Sequence, residues 1–340
     1  MSTKQTIVIT GVAGLLGSHA ADKFLAEGYR VIGVDNFVGG YRNNVPQKVD
    51  LRTIDCCDFP AMREVMNETK PDVVLHAACT AYEGLSVFSP SLVFDNTAAA
   101  TVSVASAAVA SGVKRFIQCS SMARYGDQGG VQFTEDMVPR PQDPYGIAKY
   151  AAEQVLWNMQ LVHGIEVVVL VPHNIIGSRQ RYDDPFRNVA AIMINRMLKG
   201  LQPVIYGDGL QTRSFSFVGD VVNPIWLSAT SNDVVGHVIN VGPDDNSITI
   251  LDLAAKIATL LDFDLHPIFM PDRPQEVKHA SCDATKAREL LGYKAEISVE
   301  AGLREMIDYI GGAGTKEFTY DHRIEILTEK TPKTWIEKII

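Results

Sequence analysis

The stretch Thr6-Ile7-Val8-Ile9-Thr10-Gly11-Val12-Ala13-Gly14-Leu15-Leu16-Gly17 decides the fold. A short apolar run enters a glycine triplet, and a helix-like segment, residues 14–27, leaves it. Glycines permit a tight turn and close backbone approach to a pyrophosphate, while the helix start offers free N–H groups and a positive partial charge. The spacing G-x-x-G-x-x-G is one residue wider than the common dinucleotide fingerprint. Asp35 closes the next apolar run, where a carboxylate holds the adenosine ribose hydroxyls and disfavours a 2′-phosphate. This register predicts NAD, held by Gly11, Gly14, Leu15, Leu16, Gly17 and Asp35.

Working outward, apolar runs at 30–34, 73–76, 113–120 and 165–171 alternate with helical segments at 93–111 and 145–163. Short apolar strands separated by helices imply an α/β protein with a doubly wound parallel sheet, covered on both faces. Beyond residue 171 the regularity weakens. Runs at 215–218 and 238–241 are expected to return to the main sheet, and helices are expected at 188–199, 251–261 and 284–291. Residues from 311 onward show no strong period. The expected division is a cofactor domain of 1–174 plus roughly 214–243, and a smaller C-terminal α/β substrate domain of roughly 175–213 and 244–340.

Composition narrows the function. The chain has 340 residues, 46% hydrophobic and 21% charged, enough to bury a sizeable core. A formal charge of −9 argues against nucleic-acid or membrane-surface partners, which call for basic faces. The longest uncharged stretch, 96–113, is mostly Ala, Ser and Thr and suits a packed helix better than a bilayer span. No signal peptide fits before the glycine loop. Five cysteines without a C-x-x-C speak against disulfides or a zinc site and fit a reducing cytoplasm.

A second pattern carries chemistry. Tyr145 and Lys149 stand four residues apart at a helix start, which puts phenol and ammonium on one face. A nearby ammonium, together with an oxidised nicotinamide, is expected to favour phenolate and make Tyr145 a base. Ser120 and Ser121 follow a strand, at the end where open α/β sheets bind ligands, and either can complete the set.

With these motifs the chain resembles the extended short-chain dehydrogenase/reductases of the nucleotide-sugar epimerase and dehydratase group. The matching residues run from 6 to about 310. They include Thr10-Gly-x-x-Gly-x-x-Gly17, Asp35, Asp55-Cys56, His76-Ala77-Ala78, Ser120-Ser121 before Tyr125-Gly126, Tyr145-x-x-x-Lys149, Pro172-His173-Asn174 and Thr212-Arg213. The resemblance implies a Rossmann-type fold that holds NAD and a nucleotide-diphosphate sugar. Asp35 and Asn36 would take the adenosine ribose and Asp55 and Cys56 the adenine. Ala77, Ala78, Asn96 and Cys119 would line the cofactor path, and Pro172 and His173 would flank the nicotinamide. Tyr145 would be the base, Lys149 its partner and Ser121 the group that holds the sugar O4. Asn174, Asn188, Arg213 and Arg273 would take the diphosphate. No metal is implied.

Departures from the group refine the reaction. Dehydratases usually carry an Asp-Glu pair where this chain has Met122 and Ala123, and decarboxylases a Glu at the second of these positions. What remains is oxidation at C4 to a 4-keto sugar and return of the hydride to the other face, a 4-epimerase of carbohydrate metabolism and polysaccharide biosynthesis. UDP-N-acetylglucosamine, UDP-glucuronate and UDP-glucose are the expected substrates. Ala280 matches a gatekeeper position beside the sugar. Arg181 matches a carboxylate-binding position, although its neighbours Arg179, Asp183, Asp184 and Arg187 equally allow a surface ion-pair cluster. Tyr82 and Glu83 fall in a loop that touches the sugar, without an assigned role. A net nucleotide-sugar reductase and an NAD-sensing binding protein are the alternatives. The resemblance also implies a homodimer through helices near 96–111 and 145–163. Ala98, Ala105 and Ala108 offer a close-packing face there, or one buried within a single subunit.

Overall fold

A computed structural model describes residues 4–245 and 247–340. Its centre is a seven-stranded sheet, parallel throughout. Strand β1 (Thr6–Thr10) lies between β2 (Arg30–Asp35) and β4 (Val73–His76), with β3 (Asp50–Thr53) outside β2. On the other side β5 (Arg115–Cys119), β6 (Glu166–Pro172) and the strand Val238–Val241 continue from β4. The order reverses between β1 and β4, so a crevice opens at the strands' C-terminal ends.

Successive side chains on a strand point to opposite faces, and both faces here are covered. Ile7, Ile9, Leu75, Ile117 and Val168 join one buried cluster with Phe24 of helix α1 (Leu15–Ala26). Val8, Val74, Phe116, Val167 and Val169 join another with Met62 and Val65 of helix α2 (Phe59–Thr69). This explains why the strands read as unbroken apolar runs rather than alternating ones.

Local signals set the helix that carries the Tyr–Lys pair, Pro144–His163. Asp143 caps it, accepting the Gly146 N–H at 2.9 Å, Pro144 occupies its first turn, and Gly164 ends it at φ +73°. Helix Pro90–Ala110, with a π-helical turn over Asp95–Ala99, packs beside it. By length and composition it is the one helix among the described residues that could cross a membrane, yet half of its apolar window is buried inside the protein. Ala98, Ala105 and Ala108 are buried within the single subunit, the second of their two expected settings.

The strand expected at 215–218 does not reach the main sheet. Ser216–Phe217 pairs with Ile175–Ile176 in a separate two-stranded sheet, and Val218 already begins helix Val218–Thr230. Phe217 fills the space that Gly302 leaves on helix Val299–Ala313; a Cβ there would lie 1.8 Å from its ring. The run 238–241 does join the sheet, at its edge beside β6. Helices Val189–Leu198, Ile250–Leu261 and Val299–Ala313 build a third apolar cluster, which meets the crevice through Ile205 and Ile250.

The glycine loop packs backbone against backbone. A Cβ on Gly17 would sit 2.1 Å from the Gly11 carbonyl oxygen and 2.9 Å from the Val12 Cα. Because the obstacle is backbone, it cannot swing aside. Gly17→Ala is expected to cost about 1–3 kcal/mol of stability, as overpacking does. Urea denaturation measures this, and an unchanged midpoint contradicts it.

Candidate active site

A cleft of about 440 Å³ runs over the strand ends. At one end lies the glycine loop. Gly11, at φ +71°, is pressed so close to the end of β4 that a Cβ would meet the Ala78 Cα at 2.8 Å. Gly14 precedes α1 without a side-chain cap, and no acidic residue stands in the first turn. The opening amides of α1 are therefore left for a ligand, at the positive end of the helix dipole. Such a cradle fits a pyrophosphate.

Asp35 Oδ2 accepts the Ala13 N–H at 2.8 Å and Oδ1 the Phe37 N–H at 2.6 Å. Burial pushes its carboxyl up, while these two amides pull it down. Each oxygen keeps a lone pair for a ribose hydroxyl. Asn36 donates to Asp55 at 3.1 Å, tying two cleft-lining positions together. Leu15, Leu16, Cys56, Ala77, Ala78, Asn96, Cys119 and Pro172 also line the cleft. His173 does not: it is fully buried beneath it, with both ring nitrogens unpartnered. The residue after β6 points inward against Gly242, whose Cβ would lie 2.7 Å from the His173 Cβ. Among the described residues no cluster of His, Cys, Asp or Glu is placed to hold a metal.

Past the strand ends stand Tyr145, Lys149 and Ser121. The Lys149 ammonium donates to the Cys119 carbonyl at 2.7 Å and lies 5.8 Å from the centre of the Tyr145 ring. Structure separates the two serines. Ser120 is buried and donates to Glu153, which in turn pairs with Arg124 at 2.9 Å beneath the site. Ser121 accepts the Ala123 N–H at 3.2 Å, opens on the cleft and stands close enough to the Tyr145 hydroxyl to favour its ionised form. Met122 and Ala123 are buried and apolar, so no acid stands next to Ser121 in the chain.

The phenol itself differs from expectation. Burial, then the Cys79 thiol, hold Tyr145 well above its ordinary value; the Ser121 hydroxyl opposes this and Glu83 adds to it. The ammonium, bound to a carbonyl and beyond hydrogen-bond reach, does not reverse the effect. Without a further positive charge the phenol is neutral at pH 7.

Two residues with no role in the sequence stand here. Cys79 lies just beyond β4 and touches the phenol; its place at a strand end was the signal for it. Glu83 begins a short helix, Glu83–Ser86, and is exposed to the cleft, whose walls rise around it. Enclosure by those walls and then Asp143 push its carboxyl up, against the pull of Arg213.

At the far end Arg273 grips Glu276 with two bonds, 3.1 and 2.9 Å, and lies 4.7 Å over the Tyr206 ring. Arg213 reaches the same carboxylate at 3.5 Å. Burial opposes ionisation of Glu276, yet these two guanidinium groups hold it below the usual range. Two cations against one anion leave positive charge facing the cleft. Asn174, at φ +39°, and Asn188, which caps helix Val189–Leu198, line it as well.

Arg181 also borders the cleft and forms the ion-pair cluster that its neighbours allow. Its Nε binds Asp183 at 2.9 Å, Nη1 the Val38 carbonyl at 2.6 Å, and Nη2 both Thr319 and Asp321 at 3.0 Å. Ala280 is the ladder partner of Arg213 and packs half-buried against the second apolar cluster.

Residues 7–242 match the NAD dependent epimerase/dehydratase family. The chain is 30% identical over 310 residues to the UDP-glucose 4-epimerase of Mycolicibacterium smegmatis, covering 89% of this chain and 97% of that one. A crystal structure of UDP-glucose 4-epimerase with UDP-glucose, from Thermotoga maritima, superposes with a TM-score of 0.86 at 31% identity; it covers 91% of this chain and 99% of that chain. UDP-glucuronic acid 4-epimerase of Bacillus cereus, in complex with UDP-glucuronic acid and NAD, gives 0.84 at 26%, covering 91% and 100%. This chain therefore carries residues that those proteins lack.

A carboxyl raised on folding keeps its proton in the native state between pH 4.5 and 7, where the unfolded chain has lost it. Glu83 thus takes stability away progressively as pH rises through that window. Glu83→Gln is expected to raise the thermal midpoint relative to wild type by an amount that grows from pH 4.5 to 7. Parallel midpoint curves contradict it.

Proposed function

The chain belongs to the NAD-dependent epimerase/dehydratase family, and we propose that it inverts C4 of an uncharged UDP-hexose, UDP-glucose or UDP-N-acetylglucosamine. The observation that carries this reading is Ser121 and Tyr145 facing one cleft at the strand ends, beside apolar Met122 and Ala123. That set moves one proton at one hydroxyl and has no acid in the neighbouring positions for expelling water.

The fit of NAD rests on the free amides of α1 and the ribose-facing carboxylate of Asp35. Bound NAD supplies the acceptor for the C4 hydrogen and a positive charge beside the phenol. Tyr145 takes the proton from the sugar O4 and later gives it back, while Ser121 holds that oxygen. Lys149, fixed on the Cys119 carbonyl, reaches the nicotinamide ribose and orders it. Arg213, Arg273, Asn174 and Asn188 take the diphosphate, and Asn36, Asp55 and Cys56 the adenosine. The cofactor unit is 1–174 with roughly 214–243; the substrate unit is roughly 175–213 and 244–340.

Charge selects against a uronic acid. Glu83 opens on the cleft near Asp143 and Tyr145, and the Arg181 charge is already matched within the protein by Asp183 and Asp321. A net reductase is the second reading; it consumes NADH stoichiometrically, whereas an epimerase consumes none. Purified protein, given UDP-sugars without added cofactor, is expected to invert UDP-glucose or UDP-N-acetylglucosamine and not UDP-glucuronate. Tyr145→Phe is expected to lower kcat by about 10²–10⁴ while sugar-nucleotide binding persists. Inversion of UDP-glucuronate alone overturns the substrate, and an undiminished kcat overturns the base.

We also propose a homodimer. Ile147, Val155 and Val162 are exposed on one stripe of helix Pro144–His163, with Phe94 exposed on the neighbouring helix. Val155→Asp is expected to convert a dimer to a monomer by sedimentation; a monomeric wild type contradicts the pairing.

A further inference from the structure

The family motifs end near residue 310, and helix Val299–Ala313 closes soon after. The chain then runs through residues 315–340 with only one short helix, Lys333–Ile336. Irregular backbone of that length usually hangs loose at a surface. Here it is tied down along its course. Asn195 exchanges two hydrogen bonds with the Lys316 backbone, at 2.9 and 3.1 Å. The Glu325 carboxylate accepts the Ser91 and Leu92 amides, at 3.0 and 2.9 Å, and so caps the helix that begins at Pro90. The Tyr206 and Thr334 hydroxyls meet at 2.5 Å, and Arg196 donates to the Ile339 carbonyl at 2.9 Å.

The apolar side chains of this segment enter the active site's own housing. Trp335 and Ile340, 3% and 7% exposed, share one buried cluster with Tyr145, Ala123, Leu85 and Phe186. The Trp335 ring meets Phe88 and Phe186 edge-on, at 5.8 and 5.2 Å between centroids. Its far edge lies against Gly84, 3.7 Å from where a Cβ would stand, and so backs the helix that presents Glu83. Ile340 itself lines the cleft, alongside Val204 and Tyr206.

We propose that residues 315–340 are a specificity strap, whose Ile340 side chain and Trp335-backed Glu83 helix form the wall against which the sugar is selected. Arg181 is its clamp: one guanidinium joins Thr319 and Asp321 of the strap to the Val38 carbonyl, just beyond Asp35. The strap thus spans from the cofactor's loop to the sugar's wall. A wall pinned at both ends by hydrogen bonds and filled by a buried indole sets a fixed volume, and a fixed apolar wall discriminates by size. This deepens the 4-epimerase reading and rests on it.

The test compares wild type, Ile340→Ala and Ile340→Phe on UDP-glucose and UDP-N-acetylglucosamine, with the dissociation constant of UDP as control. Enlarging the side chain is expected to lower kcat/KM for the larger sugar relative to the smaller by about ten-fold, and trimming it to shift the ratio the other way. The UDP constant is expected to move by less than roughly two-fold, and a larger shift sets Ile340 against the nucleotide and overturns the proposal. A sugar ratio unchanged in both variants overturns the strap. Hydrogen exchange gives a readout free of substitutions: amides of 315–340 should gain more protection from a UDP-hexose than from UDP. Equal protection overturns the proposal. If wild type inverts no sugar, the epimerase reading falls, and hydrogen exchange with a bound UDP-hexose still decides the strap.

Discussion

Everything in the cleft is referenced to one close approach of backbone to backbone, where the Gly11 turn presses on the end of β4. No side chain can stand at Gly11 or Gly17 without striking main-chain atoms. That contact fixes where α1 begins and leaves its first amides uncapped. It also fixes Ala77 and Ala78 as the floor between the turn and β5, whose end carries Cys119, Ser120 and Ser121. A ligand cradled at the helix start is thereby aimed along the strand ends at Tyr145.

The electrostatics are those of a desolvated site. Taking a phenol out of water stabilises its neutral form, and burial dominates the Tyr145 shift. A lysine committed to a carbonyl is a positioning group first and an acidifier only in company with another cation. Acid and base are distributed unevenly around the sugar's end: Glu83 and Asp143 stand near the phenol, while Arg213 and Arg273 share Glu276 farther along. The cleft therefore offers cations to a diphosphate and carboxyls to a sugar.

Beneath the site, Ser120, Glu153 and Arg124 form a buried chain that touches no cleft surface except through Ser120. Removing Glu153 or Arg124 would leave a buried charge unpaired, which costs several kcal/mol in comparable cases, about 3–5. This is why two adjacent serines of identical chemistry have different work. One is consumed in holding the strand end to the catalytic helix, and the other is free.

The sequence by itself determined the parallel sheet, the glycine cradle, Asp35 and the Tyr145–Lys149 helix, because each rests on local rules: apolar period, turn conformation, capping and i,i+4 spacing. Asp143, Pro144 and Gly164 mark that helix as clearly in the sequence as in space. What only tertiary structure decided depends on contacts between residues far apart in the chain. Ser121 was separated from Ser120 by Glu153, thirty-three positions from Ser120. Arg181 was tied into the protein because Val38 and Asp321 reach it from opposite ends of the chain. His173 turned inward, 215–218 left the sheet for Gly302's hollow, and the segment after 313 became a wall. A periodless stretch carries no local instruction, so its place is set by the pockets that Trp335 and Ile340 find elsewhere in the fold.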